Sequence, residues 1–155
     1  MNGTLVYEDY LSLYNNNKIK GLLFKKSQIQ PSSIDLSLSE ECYEIKTSFL
    51  SPDSKVRDKL KKIYAKKISL KTSKIFRKNK TYIVRLNESL NLNNSISGHC
   101  NPKSSTGRLN IFCRTILDYC DEYEKIPKNY NGDMFLEITT RSFDIKISKG
   151  DKFNQ

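Results

Sequence analysis

The chain has 155 residues, 37% of them hydrophobic, and a formal net charge of +10 at pH 7. This length suits one domain with a single core, so we expect residues 1–155 to form one domain. No apolar stretch approaches membrane-spanning length, and the first residues lack the basic region and apolar core of a secretory signal. The composition therefore argues against a membrane partner and predicts a cytoplasmic protein.

The first part of the chain changes from a helical to a strand pattern. Thr4 can cap a first helix, which the asparagines at 15–17 end. Strand patterns follow at 22–24, 34–38 and 42–49, and the last two alternate with period two.

A second helix is predicted to start at Ser51, where a Pro and an Asp follow the capping Ser. Its apolar face holds Val56, Leu60, Ile63 and Tyr64. Many short strands separated by polar turns follow, which predicts a mainly β fold with short helices and a closed or rolled sheet. These strand patterns lie at 68–70, 81–86, 96–100, 111–117, 134–139 and 143–147.

The positive charge is concentrated in one stretch, between Lys55 and Lys80. A pI near 9.4 is common among nucleic-acid-binding proteins. However, the aromatic residues that stack on bases are not interleaved with these lysines in any known RNA-binding pattern. We therefore interpret the stretch as a solvated face and do not expect nucleic acid as a partner.

The four cysteines, Cys42, Cys100, Cys113 and Cys120, lack the spacing of a disulfide framework. His99 lies beside Cys100, which raises the question of a zinc site. The chain has no CxxC pair and no zinc-deaminase signature of H-x-E followed by P-C-x-x-C. We expect no metal site and four reduced thiols, with Cys100 and Cys113 packed in the core on neighbouring strands.

Residues 101–108 (NPKSSTGR) have the features of an anion-binding turn. Ser104 and Ser105 can cap a helix start and leave backbone N–H groups free for phosphate oxygens. Lys103 and Arg108 add positive charge on either side of the turn. The turn predicts contact with a phosphate-bearing ligand, although capping alone would also explain the two serines.

An isolated carboxylate, Glu137, lies in the apolar run 134–138 (MFLEI). A carboxylate in such a strand is costly to bury and tends to have a raised pKa, as a general base or acid near neutral pH needs. In the structural alternative, Glu137 pairs with Arg108, Arg114 or Arg141.

Four segments together resemble one known family. The segments are 30–36 (QPSSIDL), 103–108 (KSSTGR), 130–137 (YNGDMFLE) and 149–155 (KGDKFNQ). In order and spacing they resemble the dCTP deaminase branch of the dUTPase-like superfamily, from about residue 28 to the last residue. The similarity is greatest to a long alphaproteobacterial-type form with two such halves in one polypeptide, and this chain resembles the first half.

The resemblance implies a distorted β-barrel of the β-clip type, and a homotrimer or an assembly with the C-terminal half. It implies hydrolytic deamination of dCTP to dUTP and ammonia without a metal or a tightly bound cofactor. Mg²⁺ is expected as the counter-ion of the triphosphate. A dUTPase-type pyrophosphatase shares the fold and the turn and is the alternative enzyme, but its motifs with a Gly-rich phosphate tail are missing from the sequence.

The resemblance also implies residue roles. Glu137 activates the water that attacks C4 of the cytosine ring and passes protons to the departing ammonia. Ser104 holds that water, Arg108 stabilises the reacting centre, and Tyr130 packs under the sugar. Nucleotide contact is implied for Lys103, Ser104, Ser105, Thr106, Gly107, Arg108, Tyr130, Phe135 and Leu136.

Two positions depart from the family pattern. Lys103 stands where the family usually has Arg, which keeps the charge but loses the bidentate geometry. Pro127 stands where an Asp contacts the deoxyribose hydroxyl, so Asp118 or Glu124 is a candidate for that contact. The family pattern continues beyond Gln155 with a final strand and a phosphate-closing tail, so a truncated and weakly active remnant is a third alternative.

Overall fold

Antiparallel strands and short helices make up the part of the chain that the structure describes. The structure is a computed structural model that describes residues 3–21 and 26–155. The helices are α1 (Tyr7–Asn15), α2 (Val56–Lys62) and α3 (Ser104–Arg108), and a 3-10 turn spans Lys26–Gln28. None of the helices in these ranges is long and apolar enough to span a bilayer. The strands are β1 (Ile19–Lys20), β2 (Leu38–Ile45), β3 (Lys66–Ser69), β4 (Lys74–Phe76), β5 (Thr81–Asn91), β6 (Gly98–His99), β7 (Ile111–Leu117), β8 (Lys125–Ile126), β9 (Asn131–Thr140) and β10 (Ile145–Ile147).

The described strands form one large sheet and two small ladders. The large sheet has the order β3-β2-β5-β9-β7, and β1 pairs with the end of β5. Strand β4 pairs with β10, and β6 pairs with β8. All of these pairs are antiparallel. The mainly β architecture that the sequence predicts is confirmed.

Strand β9 runs between two apolar cores. Met134, Leu136 and Ile138 belong to the larger core, whereas Phe135 belongs to a second core that α2 covers. Alternation along the strand places Glu137 on the same face as Phe135. Because both faces are covered, all five residues of the run are buried, which explains its continuous apolar character.

Helix α1 starts later than the sequence predicts. Its N-cap is Val6, whose backbone N–H donates a hydrogen bond to Asp9 Oδ2 at 2.9 Å. Asp9 therefore satisfies the helix start in place of the predicted Thr4 cap. The helix ends at Asn15, as predicted. The strand pattern at 22–24 lies outside the described residues.

The two strands predicted at 34–38 and 42–49 are replaced by the single strand β2. Before it, Leu36 makes an isolated bridge to Asn154, near the other end of the sequence. Burial along β2 does not alternate with period two, since Leu38, Ser39, Cys42 and Ile45 are its buried residues. Long-range pairing decides where the regular ladder begins.

Helix α2 begins at Val56, five residues after the predicted start at Ser51. Val56 and Leu60 are buried as predicted, but Ile63 and Tyr64 are 41% and 95% exposed. Tyr64 has a left-handed φ of 51°, which turns the chain out of the helix toward β3. The apolar face therefore ends with the helix, and the prediction for Ile63 and Tyr64 is wrong.

The six strand patterns after α2 are confirmed as β3, β5, β6, β7, β9 and β10. Strand β7 has the predicted bounds, and the ends of the other five are shifted. Strands β5 and β9 are longer than predicted because their polar ends continue the same ladder. The sequence does not predict β1, β4 or β8, since two or three residues give no recognisable period.

Candidate active site

Three sequence segments that carry the family resemblance meet at the start of α3. The backbone N–H of Lys103 donates to Phe153 O at 2.9 Å, and that of Leu36 donates to Asn154 O at 3.0 Å. The hydroxyl of the buried Thr106 donates to Phe153 O at 3.1 Å, so it connects the helix to the same segment of the chain. The segments that meet are 30–36, 103–108 and 149–155.

Helix α3 presents Ser104 and Ser105 to solvent. Its N-cap is Lys103, and no side chain in the described part of the sequence caps it, so the prediction that the serines cap the helix is wrong. Their backbone N–H groups make no hydrogen bond to a described residue, as is usual for the first turn of a helix. Gly107 and Arg108 are also exposed, and the Arg108 side chain has no ionic partner within residues 3–21 and 26–155.

The Lys103 ammonium is already bound within the chain. Its Nζ lies 2.5 Å from Oδ2 of Asp35, whose side chain is only 7% exposed. The Lys152 ammonium lies 4.0 Å from the same oxygen. Since two cations face one carboxylate, the start of α3 keeps a net positive charge.

Glu137 is buried beside Arg114, where β7 pairs with β9. The Arg114 Nε and Nη2 atoms donate to Glu137 Oε1 at 3.0 and 2.5 Å. Oε2 of Glu137 is buried and has no hydrogen-bond partner among the described residues. One oxygen is therefore paired with a cation, and the other has no donor from the described part of the chain.

Two further side chains hold the Arg114 guanidinium. The guanidinium carbon of Arg114 lies 4.1 Å from the centre of the Tyr123 ring, and Nη2 donates a hydrogen bond to Ser48 Oγ at 3.2 Å. Burial opposes the charge of Arg114, but the hydrogen bond with Glu137 and the charge of that carboxylate raise the pKa of Arg114 overall. The sequence offers no signal for Ser48 or Tyr123, because only the folded loops bring them to this strand.

The structure does not join the turn to the carboxylate. Among the described residues, Glu137 makes no hydrogen bond or ion pair with residues 103–108. The turn contacts Asp35 and the last residues of the chain, whereas Glu137 contacts Arg114. The predicted site therefore consists of two separate groups within one chain.

Tyr130, Phe135 and Leu136 are core residues. The Tyr130 hydroxyl donates to Asp133 O and accepts the Asp118 N–H at 3.3 Å. Phe135 and Leu136 are fully buried, one in each core. These three side chains fix the strand that carries Glu137, and nucleotide contact at their positions stays a prediction.

The two carboxylates considered for the sugar contact also bond within the chain. Asp118 Oδ1 accepts the N–H of Val56 at 2.8 Å, at the start of α2. Glu124 Oε1 accepts the N–H of Thr115 at 3.1 Å. Burial raises the pKa of both carboxyl groups. This geometry favours neither of them for the sugar contact.

All four cysteines are free and buried. Cys100 and Cys113 belong to the larger core, so their predicted packing role is confirmed. Their predicted place on neighbouring strands is wrong, because Cys100 follows β6, which pairs with β8, whereas Cys113 lies on β7, which pairs with β9. Burial raises the pKa of both thiols to about 12, which keeps them protonated and poorly reactive at neutral pH. No group of three or more His, Cys, Asp or Glu side chains in the described part of the chain could hold a metal ion.

The antiparallel sheets and short helices define a fold of the dUTPase-like class. A profile described as the 2'-deoxycytidine 5'-triphosphate deaminase (DCD) N-terminal domain matches residues 1–155. The chain therefore belongs to this family, and the resemblance in its sequence is confirmed.

A solved structure shows the same relationship. The crystal structure of 2'-deoxycytidine 5'-triphosphate deaminase from Agrobacterium tumefaciens is similar over 99% of this chain, with 37% sequence identity and a TM-score of 0.94. This chain spans 46% of that chain. A comparison with curated proteins finds no match.

Proposed function

We propose that the protein deaminates dCTP to dUTP and ammonia, with Glu137 as the general base and acid. Membership of the family and the similarity to a dCTP deaminase support the choice of substrate. The arrangement of Glu137 supports its role: Oε1 is fixed by Arg114, and the buried Oε2 has no donor in the described residues. One oxygen is held in place while the other is available to accept a proton.

In the proposed reaction, Glu137 takes a proton from water as the water oxygen bonds to C4 of cytosine. One proton of the water passes to N3 of the ring and the other to the exocyclic nitrogen, the C4–N bond breaks, and ammonia leaves as the C4 carbonyl forms. The reaction consumes one water and requires no electron donor or acceptor. We assign Ser104 to hold the water and Arg108 to stabilise charge at the reacting centre.

We assign binding of the triphosphate to the start of α3. Ser104 and Ser105 are exposed, and their backbone N–H groups make no hydrogen bond to a described residue, so these groups and the charge of Lys103 suit phosphate oxygens. The ligand is then a deoxynucleoside triphosphate with Mg²⁺ as its counter-ion, and the expected location is the cytoplasm. No tightly bound cofactor is part of the proposal.

We further propose that assembly completes the site. Among the described residues, Glu137 makes no hydrogen bond or ion pair with the turn, and the chain spans 46% of the Agrobacterium protein. A homotrimer, or an assembly with a C-terminal half, would bring the turn of one unit to the carboxylate of another. Sedimentation velocity tests this step, and a stable monomer with full activity would contradict it.

Product analysis tests the reaction itself. The purified protein is incubated with Mg²⁺ and either dCTP or dUTP, and ammonia and pyrophosphate are both measured. We expect ammonia from dCTP and no pyrophosphate from dUTP. Pyrophosphate from dUTP without ammonia from dCTP would instead establish a dUTPase, and the absence of both products would favour an inactive remnant.

A further inference from the structure

A fully buried carboxylate, Glu88, fixes the segment that leads to Asp35. Glu88 Oε1 accepts hydrogen bonds from Gln28 Nε2 at 2.8 Å and from Ser37 Oγ at 2.7 Å, and Oε2 accepts the Ser37 N–H at 2.9 Å. Three donors satisfy a charge that would otherwise be costly at 0% exposure. The proposed reaction does not use Glu88, so its role lies in the architecture around it.

The same network holds the backbone of Asp35 on both sides. Gln28 Nε2 donates to Asp35 O at 2.7 Å, and the Asp35 N–H donates to Gln28 O at 2.8 Å. The Asp35 side chain is 7% exposed, and its Oδ1 is buried without a partner among the described residues. Its other oxygen, Oδ2, contacts the Lys103 ammonium at 2.5 Å. The carboxylate therefore has a fixed place, and Lys103 is drawn to it.

We infer that Asp35 is a positioning residue that holds the Lys103 ammonium at the start of α3 for a triphosphate. This inference rests on the proposed function, since it concerns the same phosphate turn. A free lysine must lose rotamer freedom when it binds an anion, and here the ion pair has already restricted it. Repulsion between Asp35 and phosphate opposes this benefit, but Lys152 at 4.0 Å leaves the local charge positive. We therefore expect positioning to outweigh the repulsion.

A double-mutant cycle on triphosphate binding tests the inference. Dissociation constants for inorganic tripolyphosphate and for dCTP are measured by calorimetry with the wild type, Asp35→Asn, Lys103→Ala and the double variant. Asp35→Asn is expected to weaken binding about two- to tenfold, the range for one immobilised side chain. In the Lys103→Ala background the same change should have no further effect. If the protein deaminates dCTP, the KM of the Asp35→Asn variant should be higher than that of the wild type, with kcat unchanged.

The controls separate positioning from folding. Glu40→Gln removes a carboxylate that lies 3.8 Å from Lys149 on the surface, and it should leave binding unchanged. If Asp35→Asn does not fold by circular dichroism, Asp35→Glu keeps the charge, displaces it, and should weaken binding only when Lys103 is present. Three outcomes would overturn the inference. The first is additive effects of the Asp35 and Lys103 changes, and the second is unchanged or tighter binding in the Asp35 variant. The third is the absence of tripolyphosphate binding by the wild type. Lys103-dependent binding without deamination would refute the proposed reaction alone.

Discussion

Arg114 and Glu137 lie opposite each other on β7 and β9, and the guanidinium donates two hydrogen bonds to the same carboxylate oxygen. This one-sided pairing distinguishes Oε1 from Oε2. A purely structural ion pair would also explain the contact, because a buried carboxylate needs a cation. A catalytic Glu137 and a structural Glu137 can be distinguished by a substitution that removes the charge of the side chain and keeps its shape.

Glu137→Gln provides that test. The amide retains an acceptor for Arg114 but cannot carry a proton, so we expect the kcat for dCTP to fall about 10²- to 10⁴-fold. Nucleotide binding and the thermal unfolding midpoint should change little. Glu122→Gln, at an exposed position, is the matched control. Turnover within a factor of ten of the wild type would show that Glu137 is structural.

Arg108→Ala tests the exposed end of the turn. Loss of a charged hydrogen bond to the ligand is expected to lower kcat/KM about 10- to 100-fold. Arg77→Ala removes an exposed arginine that pairs with Asp144 and should leave kinetics unchanged.

Lys103→Arg should keep or improve dCTP affinity, because a guanidinium can bind phosphate in a bidentate manner. Equal losses in the Arg108 and Lys103 variants would indicate that the turn has only a structural role.

Stability should fall in acid because of a network centred on Arg57. Its guanidinium contacts Glu41 at 2.7 Å and Asp133 at 2.6 Å, and Arg85 contacts Asp133 at 2.7 Å. Burial alone would raise the pKa of both carboxyls, but the arginine hydrogen bonds outweigh it and lower them. A lowered folded-state pKa contributes stability that is complete above the unfolded pKa of about 4 and disappears as pH falls through the folded value.

Urea unfolding between pH 6 and pH 2 measures this contribution. Arg57→Gln should reduce the free energy of unfolding near neutral pH by about 1–2 kcal/mol, a moderate value because the Arg57 side chain is 41% exposed. In this variant the free energy of unfolding should also decrease less steeply as the pH falls below about 4. Lys61→Gln alters an exposed pair with Asp58 at 3.8 Å and serves as the control. The same acid slope in both variants would contradict the network.

Substitutions at Leu60 and Ile63 test where α2 and its apolar face end. Leu60 is 2% exposed in the second core, so Leu60→Ala should lower the free energy of unfolding by about 2–5 kcal/mol. Ile63 is 41% exposed, and Ile63→Ala should change it by about 0.5 kcal/mol or less. Similar losses from both variants would mean that the helix continues and buries Ile63, as its sequence pattern suggests.

The local patterns of the sequence determined the strands, the family and the two groups of candidate residues. Period-two alternation and apolar runs are local properties, so β5, β7 and β9 could be predicted. The turn at 101–108 and the isolated Glu137 were recognisable because their residue types are unusual in such settings. The burial of Cys100 and Cys113 in the core also followed from their lack of a disulfide spacing.

Only the tertiary structure decided which side chains pair with which. The register of β7 against β9 sets Arg114, rather than Arg108 or Arg141, beside Glu137. The network of Glu88 brings Asp35 to Lys103, 68 positions away in sequence. Ion pairs and hydrogen bonds act over about 3 Å, and a periodic pattern specifies the face of a strand without specifying its neighbour. Partners across the sheet therefore depend on the folded chain as a whole.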